Sequence, residues 1–344
     1  MRKIFTLALM AFCVPAWAQE SAESFEFEGE TRNYIQYIPD AYDGSSPVPL
    51  LLSLHGLGDN MNNFKQVGFH GIADTANFIV LTPQALVDPL MNASAWNSGA
   101  GFGGFYLNQD VNDVGFIKAL IDTVVSQYNI DEARIFVTGF SMGGFMSNRL
   151  ACELNYRIAA FASVAGTIGS GIQCSPGREV PAMHLHGTED GTVGYSNNSF
   201  GNDAEEWWVF WQNNNSASGF IDSLEFPNGL EEDSIKVYSY RQQGAAGSEV
   251  FFIKAEGAGH QWLFTPQNDV DYHHLIWNFF LEQSHPQPSG LGLENLQKIN
   301  FDLFPNPFQN RFQVSLNNAG ILRVFNAQGQ LILSKYFPAG LHSI

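Results

Sequence analysis

The chain has 344 residues, of which only 15% are charged, and its formal net charge is −18. An average soluble protein is roughly 25% charged, and this length suits one large domain plus a small one. Phosphate recognition needs clustered Lys and Arg, so the acidic balance excludes nucleic acid and an anionic membrane surface as partners. No zinc-type Cys/His spacing, phosphate-binding Gly-rich loop with Lys, or Ca2+ loop occurs in the sequence.

Residues 1–18 read as a signal peptide. Arg2 and Lys3 form a basic end, residues 4–14 are apolar, and Ala16-Trp17-Ala18 is a small-x-small cleavage site. The run is too short to span a bilayer, so no membrane span is expected. Removing it takes the net charge from −18 to −20 and leaves two cysteines, Cys152 and Cys174. An even count in an exported chain points to a disulfide, with two buried thiols as the alternative.

Residues 25–38 alternate apolar and polar side chains, as a half-buried strand does. Residues 49–54, 78–82, 134–138, 159–164 and 182–185 are short apolar runs, which fit strands covered on both faces. Between them, Val114, Ile117, Leu120, Ile121, Val124, Val125 and Tyr128 recur at helical spacing, with Asp113 placed to cap. Residues 204–212 and 270–282 read as further helices. Alternating strands and helices predict an α/β sheet with helices on both faces over residues 26–283. Composition then shifts at Ser284-His285-Pro286, and residues 284–300 read as a linker. Residues 301–344 hold three strand candidates, 312–316, 321–325 and 331–337, and form a short all-β tail.

Three short motifs carry the candidate chemistry. Gly139-Phe140-Ser141-Met142-Gly143 follows an apolar strand and opens a helix, the context of a nucleophile elbow. Such a turn lifts the Ser141 hydroxyl above the sheet and puts the Met142 N–H at a helix N-terminus, where it can hold an oxyanion. His184-Leu185-His186-Gly187-Thr188-Glu189-Asp190 follows another buried strand and offers the carboxylate that orients a catalytic histidine. Asp190 is the first choice and Glu189 the rival, while His186 reads as a residue that packs or hydrogen-bonds a loop. His260, in Gly257-Ala258-Gly259-His260, sits on a flexible loop past the last strand and suits a general base. The order Ser141, Asp190, His260 is that of α/β-hydrolases. Leu54-His55-Gly56-Leu57-Gly58 supplies the second oxyanion donor, the Leu57 N–H, with His55 bracing the loop. His273 and His274 read as structural.

Residues 26–283 resemble the secreted esterases grouped as polyhydroxybutyrate depolymerase-like and feruloyl or acetylxylan esterase-like α/β-hydrolases. The resemblance rests on LLSLHGLGDN, DVGFIKALID, VTGFSMGGFMSNRLACE, HLHGTEDGTVGY and EGAGHQW, in that order. It implies an ester hydrolase with Ser141, Asp190 and His260 as triad and no metal or organic cofactor, and it supports pairing of Cys152 with Cys174. Many relatives carry a paired-cysteine loop after the Trp-Asn element. Here Trp96-Asn97 is followed by a Gly-rich stretch without cysteine, so a looser loop is expected. The tail, through Leu303-Phe304-Pro305-Asn306-Pro307 and Val324-Phe325-Asn326-Ala327-Gln328-Gly329, resembles the C-terminal sorting domain of type IX secretion. This implies that secretion machinery is a partner and that the protein is exported. The chain stops at Ile344, before the Gly-x-Tyr strand and basic residue usual there, so the tail is expected to be incomplete.

Aromatic residues near these motifs are candidates for substrate contact: Trp96, Phe102, Phe105 and Tyr106 on the Gly-rich loop, and Trp262 after His260. Trp207, Trp208 and Trp211 read as core. Three functions compete: an esterase removing feruloyl or acetyl groups from plant polysaccharide, a polyester depolymerase, and a non-catalytic binding protein on a hydrolase scaffold.

Overall fold

The computed structural model describes residues 19–228 and 234–286, together with the backbone of short strands beyond residue 300. The signal-peptide segment, residues 287–300 of the expected linker and the Pro305-Asn306-Pro307 motif lie outside the described residues. The chain divides into two compact units, Met1–Pro288 and Ser289–Ile344.

The first unit is built on a ten-stranded sheet. In chain order its strands are β1 (Gln19–Phe27), β2 (Glu30–Ile38), β3 (Val48–Leu54), β4 (Ile79–Pro83), β5 (Ile130–Phe140), β6 (Ala160–Val164), β7 (Ala182–Gly187), β8 (Asp222–Glu225), β9 (Lys236–Gln243) and β10 (Glu249–Glu256). Their spatial order is β1-β2-β4-β3-β5-β6-β7-β10-β9-β8. The six central strands, β4 to β10 in that order, are parallel, and each edge is finished by an antiparallel pair. The five main helices are α1 (Phe69–Ala76), α2 (Asp113–Gln127), α3 (Met142–Glu153), α4 (Ala204–Asn214) and α5 (Tyr272–Leu281).

Both faces of the central strands are buried, which explains their unbroken apolar runs. The period-two alternation of a strand sends Leu50, Leu52 and Leu54 of β3 into one core with α2, α3 and α4, and Leu51 into another with α1 and α5. Leu120, Leu150, Trp207 and Trp211 fill the first core, and Phe69, Ile276, Trp277 and Phe280 the second. The Trp207 and Trp211 indole N–H groups both donate to Asn148 Oδ1, at 2.6 and 3.3 Å, so the two rings are buried without an orphaned donor.

Four expectations change. Residues 25–38 are not one strand: a tight turn at Glu28-Gly29, with φ of 52° and 86°, folds β1 back on β2 as a hairpin starting at Gln19. Positive φ at both turn residues matches the right-handed twist of a hairpin, and alternation continuing through the turn hid it. Asp113 is not the helix cap. Asn112 caps α2 by accepting the Gly115 N–H, and Asp113 is buried in an ion pair. Ser284 and His285 belong to the first unit rather than to a linker, since the His285 N–H donates to the Ala133 carbonyl at 2.8 Å. Edge strands β8 and β9 carried too little apolar pattern to be read from the sequence.

In the second unit, β11 (Phe301–Phe304), β12 (Gln313–Leu316) and β15 (Gly340–Ser343) form a three-stranded antiparallel sheet, while β13 (Gly320–Phe325) pairs with β14 (Leu331–Phe337). The first and last of these strands are additional to the three read from the sequence.

Candidate active site

Ser141 stands between the end of β5 and the first turn of α3, with φ 55° and ψ −119°. A serine held at positive φ is strained, and here the surroundings fix it. Its N–H donates to the Val164 carbonyl at 2.8 Å. A Cβ on Gly139 would lie 2.3 Å from the Gly143 carbonyl oxygen, and one on Gly143 2.1 Å from that of Leu54. Both neighbours are backbone and cannot yield, so the two glycines of the motif are needed for this close approach. The Met142 N–H is the first of α3, a position without an intrahelical acceptor.

Asp190 follows β7. Its Oδ1 accepts the N–H groups of Thr192 and Val193, both at 2.8 Å, and its Oδ2 accepts from His260 Nδ1 at 2.7 Å. Burial works to raise the carboxyl pKa, but donation from His186 and His260, the charge on His260 and the Thr192 N–H together hold it well below the usual range. Glu189, the rival carboxylate, is exposed, and its N–H donates to the Ala258 carbonyl at 2.9 Å. That bond locks the Asp190 loop to the His260 loop. A Cβ on Gly187 would sit 2.2 Å from the same Ala258 oxygen, so the two loops pack backbone to backbone. The His260 ring also rests on Phe140, at 4.7 Å between centroids. With Nδ1 committed to Asp190, Nε2 is the free nitrogen of His260.

Ser141, His260, Met142 and Leu57 line one cleft of about 320 Å3, together with Phe102, Phe140, Phe145, Val193 and Phe200. His55 is fully buried, and burial lowers its pKa, so it is neutral. Its Nε2 accepts the Ala85 N–H at 3.1 Å, which places the ring proton on Nδ1 for donation to the Gly56 carbonyl at 2.7 Å. The Gly56 carbonyl and the Leu57 N–H share one peptide plane, so His55 sets the direction of that N–H.

Of the five aromatic candidates, Phe102 alone lines this cleft. It packs on Phe200 at 4.7 Å. Trp96 is fully buried and donates its indole N–H to the His55 carbonyl at 2.9 Å, so it braces the loop from below. Trp262 is buried among Phe64, Phe69, Phe140 and Tyr272, because the residue after next from His260 already points into the second core. Phe105 is exposed at a short hairpin tip, and the Tyr106 ring packs by Gly171. Phe140 and Phe145, carried by the nucleophile-elbow stretch, also line the cleft, as does Phe200, which no motif revealed. The Gly-rich loop is also less free than its missing cysteines suggested. The Gly101 N–H donates to the Phe200 carbonyl at 3.0 Å, and the Gly171 N–H to that of Gly99 at 2.8 Å.

Cys152 on α3 and Cys174 are joined as a disulfide. Among the described residues, Asp271, His273 and His274 bring potential metal-binding atoms within 4.8 Å of one another. The Asp271 carboxylate is already engaged by the Thr265 N–H and hydroxyl.

Residues 43–215 match the phospholipase/carboxylesterase family. The chain belongs to that family. Residues 302–343 match the secretion system C-terminal sorting domain. Among curated relatives of the family region, a bifunctional acetylxylan esterase/xylanase of Neocallimastix patriciarum is 32% identical over 170 residues, covering 49% of this chain and 23% of the relative. Feruloyl esterase B of Piromyces equi is 32% identical over 172 residues, 48% of this chain and 30% of the relative. Feruloyl esterase D of Neurospora crassa is 31% identical over 168 residues, 48% and 55% respectively. The matched part thus spans well under two thirds of each relative. Among solved structures, a thermostable esterase aligns with a TM-score of 0.52 at 18% identity, covering 77% of this chain and 63% of that one. An acetyl xylan esterase from Aspergillus awamori aligns at 0.51 and 14% identity, covering 76% and 99%. At these identities the two share the fold with this chain.

Proposed function

We propose that the protein is an exported serine esterase that hydrolyses carboxylic esters, with feruloyl or acetyl esters of plant polysaccharide as substrates. The carrying observation is the 2.7 Å bond from His260 Nδ1 to Asp190, with His260 lining the same cleft as Ser141. In the first step Ser141 Oγ attacks the ester carbonyl carbon and its proton passes to His260 Nε2. The Met142 and Leu57 N–H groups hold the resulting oxyanion. The imidazolium, stabilised by Asp190, returns the proton to the departing alkoxide, leaving an acyl-Ser141. Water attacks this acyl group with His260 as base again, and the free acid leaves.

The aromatic acyl preference rests on the wall formed by Phe102, Phe200, Phe140 and Phe145 beside Ser141. Flat rings pack well in such a slot, and about 320 Å3 is at the small end of ligand pockets, suited to one compact acyl group. The names of the relatives point the same way. Export is inferred from residues 1–18 and from the tail match.

The test is hydrolysis of p-nitrophenyl acetate and methyl ferulate by the mature protein beside Ser141→Ala. Loss of the nucleophile is expected to lower kcat by roughly 10³-fold or more. Equal activity of the two proteins, or none in either, would overturn the reading and bring forward a binding role.

A further inference from the structure

His260 is not the only histidine directed at Asp190. His184 and His186 alternate with Leu185 on β7, so both rings leave the same face of the strand, and both are fully buried. Their contacts form a chain. Ser163 Oγ lies 2.8 Å from His184 Nδ1, His184 Nε2 lies 3.0 Å from His186 Nδ1, and His186 Nε2 lies 2.9 Å from the Val193 carbonyl and 3.4 Å from Asp190 Oδ2.

The proton positions follow from what each nitrogen faces. His186 Nε2 meets two acceptors, a carbonyl and a carboxylate, so it must carry a proton. If the imidazoles are neutral, His186 Nδ1 is an acceptor, His184 Nε2 donates to it, and His184 Nδ1 accepts the Ser163 hydroxyl. If His186 is cationic, the upper links reverse, and His184 Nδ1 donates to the Ser163 carbonyl, 3.1 Å away. Both arrangements keep the proton on His186 Nε2. Burial, followed by the neighbouring His186, holds the His184 pKa well below its ordinary value, so His184 is neutral in either arrangement. Two further titratable groups lie near. Tyr195 places its ring 5.7 Å from that of His186, and Lys254, the registered neighbour on β10, pairs with Glu256 at 3.8 Å.

We propose that His186 is a positioning residue for the reaction. Its Nε2–H, bonded to the Val193 carbonyl, also faces the Asp190 carboxylate and steadies the oxygen to which His260 is bonded, while His184 and Ser163 hold the His186 ring from its Nδ1 side. The inference rests on the esterase reading for its kinetic consequence. Oδ1 is held by two backbone N–H groups and Oδ2 by His260 at 2.7 Å, and the His186 Nε2–H, bonded to the Val193 carbonyl at 2.9 Å, lies 3.4 Å from Oδ2 and limits how the carboxylate can turn. Its charge is also divided between His186 and His260. Removing the His186 donor concentrates that charge on His260, which stabilises the imidazolium and delays its return to the base form as pH rises.

The test compares His186→Leu, which deletes the donor, with His186→Gln, whose side-chain amide can still donate toward Asp190. For His186→Leu, kcat on p-nitrophenyl acetate is expected to fall roughly 10- to 100-fold. The acid limb of kcat/KM is expected to move upward by about half to one pH unit. His186→Gln should restore most of kcat and leave the limb in place. Equal impairment of both variants with an unmoved limb would mean packing alone and overturn the proposal, as would a folded His186→Leu with wild-type kinetics. Should His186→Leu not fold, His184→Leu decides. It removes the hydrogen bond that holds the His186 ring from its Nδ1 side without touching Asp190 and should shift the limb in the same direction, and an unmoved limb there overturns the proposal. A wild-type protein without Ser141-dependent activity would instead sink the esterase reading. The low-field proton resonance of the His260–Asp190 bond then tests the positioning role without turnover: it should move in His186→Leu, and an unchanged resonance counts against the role.

Discussion

Asp113 accepts from Arg32 Nη2 with one carboxylate oxygen and from the Asn97 N–H with the other, both at 2.7 Å. The two residues are fully buried, and the Arg32 guanidinium also lies 3.7 Å from the centroid of the Phe116 ring. One acid thus ties β2 to α2 and anchors the start of the loop that carries Ala100 and Phe102 into the cleft. Removing one member of a buried pair strands the other charge and typically costs about 3–5 kcal/mol. Arg32→Ala is therefore expected to lower the unfolding free energy by that order, read as a lower urea midpoint. It should also raise KM for methyl ferulate more than for p-nitrophenyl acetate, because the loop it anchors holds Phe102. A wild-type midpoint would show that the pair is dispensable.

Phe102 and Phe200 come from different loops and meet at 4.7 Å beside Ser141. If the proposed aromatic acyl group packs on them, Phe102→Ala and Phe200→Ala should each lower kcat/KM for methyl ferulate by roughly tenfold. An acetyl group is too small to reach both rings, so p-nitrophenyl acetate should change by less than about threefold. Equal losses on the two substrates would argue against an aromatic acyl slot. Trp262→Phe, in the second core, should leave this discrimination intact.

The chemistry was legible where it depends on tight local geometry. The glycines around Ser141 are forced because a Cβ there would lie near 2 Å from a backbone oxygen, so they leave a fixed signature in the sequence. The buried parallel strands were legible because both faces are apolar. The substrate wall was not, because Phe102 and Phe200 are 98 residues apart in numbering and are brought together by loop contacts such as the Gly101 to Phe200 bond. Asp113 was misread for a related reason. An acid at the start of a helix has an obvious local use, and nothing in the sequence announces its partner 81 residues earlier. Trp262 was misread because proximity to His260 along the chain is not proximity in space.

The disulfide from Cys152 reaches a segment whose Gly171 N–H bonds the Gly99 carbonyl, so it steadies the cleft loop indirectly. Closing a loop of 22 residues stabilises by roughly 3 kcal/mol in the chain-entropy account. The Cys152→Ser, Cys174→Ser double variant is expected to melt roughly 5–10 °C below the wild type. KM for methyl ferulate should rise with it. An unchanged melt, with two titratable thiols in the native wild type, would contradict the pairing.

Burial lowers the pKa of four histidines, His55, His70, His184 and His273. The sign of their effect on stability follows from proton binding. In the unfolded chain each takes up a proton as pH falls below about 6.5, whereas in the fold each resists it. The unfolded state therefore binds more protons in this range, and stability is full above about pH 6.5 and declines as pH falls through the depressed native values. Burial raises the carboxyl pKa values of Asp113 and Glu249, which take up protons in the fold as pH falls and so work in the opposite sense, while Asp190 does not mask the effect. Its lowered pKa contributes stability above the ordinary carboxylate range, near pH 4, which is lost only at lower pH. Urea unfolding at about pH 7.5 and about pH 5.5 should show a lower midpoint at the acid value, with net proton uptake on unfolding. A midpoint that rises on acidification, with net proton release on unfolding, would mean that the native imidazoles do not resist protonation.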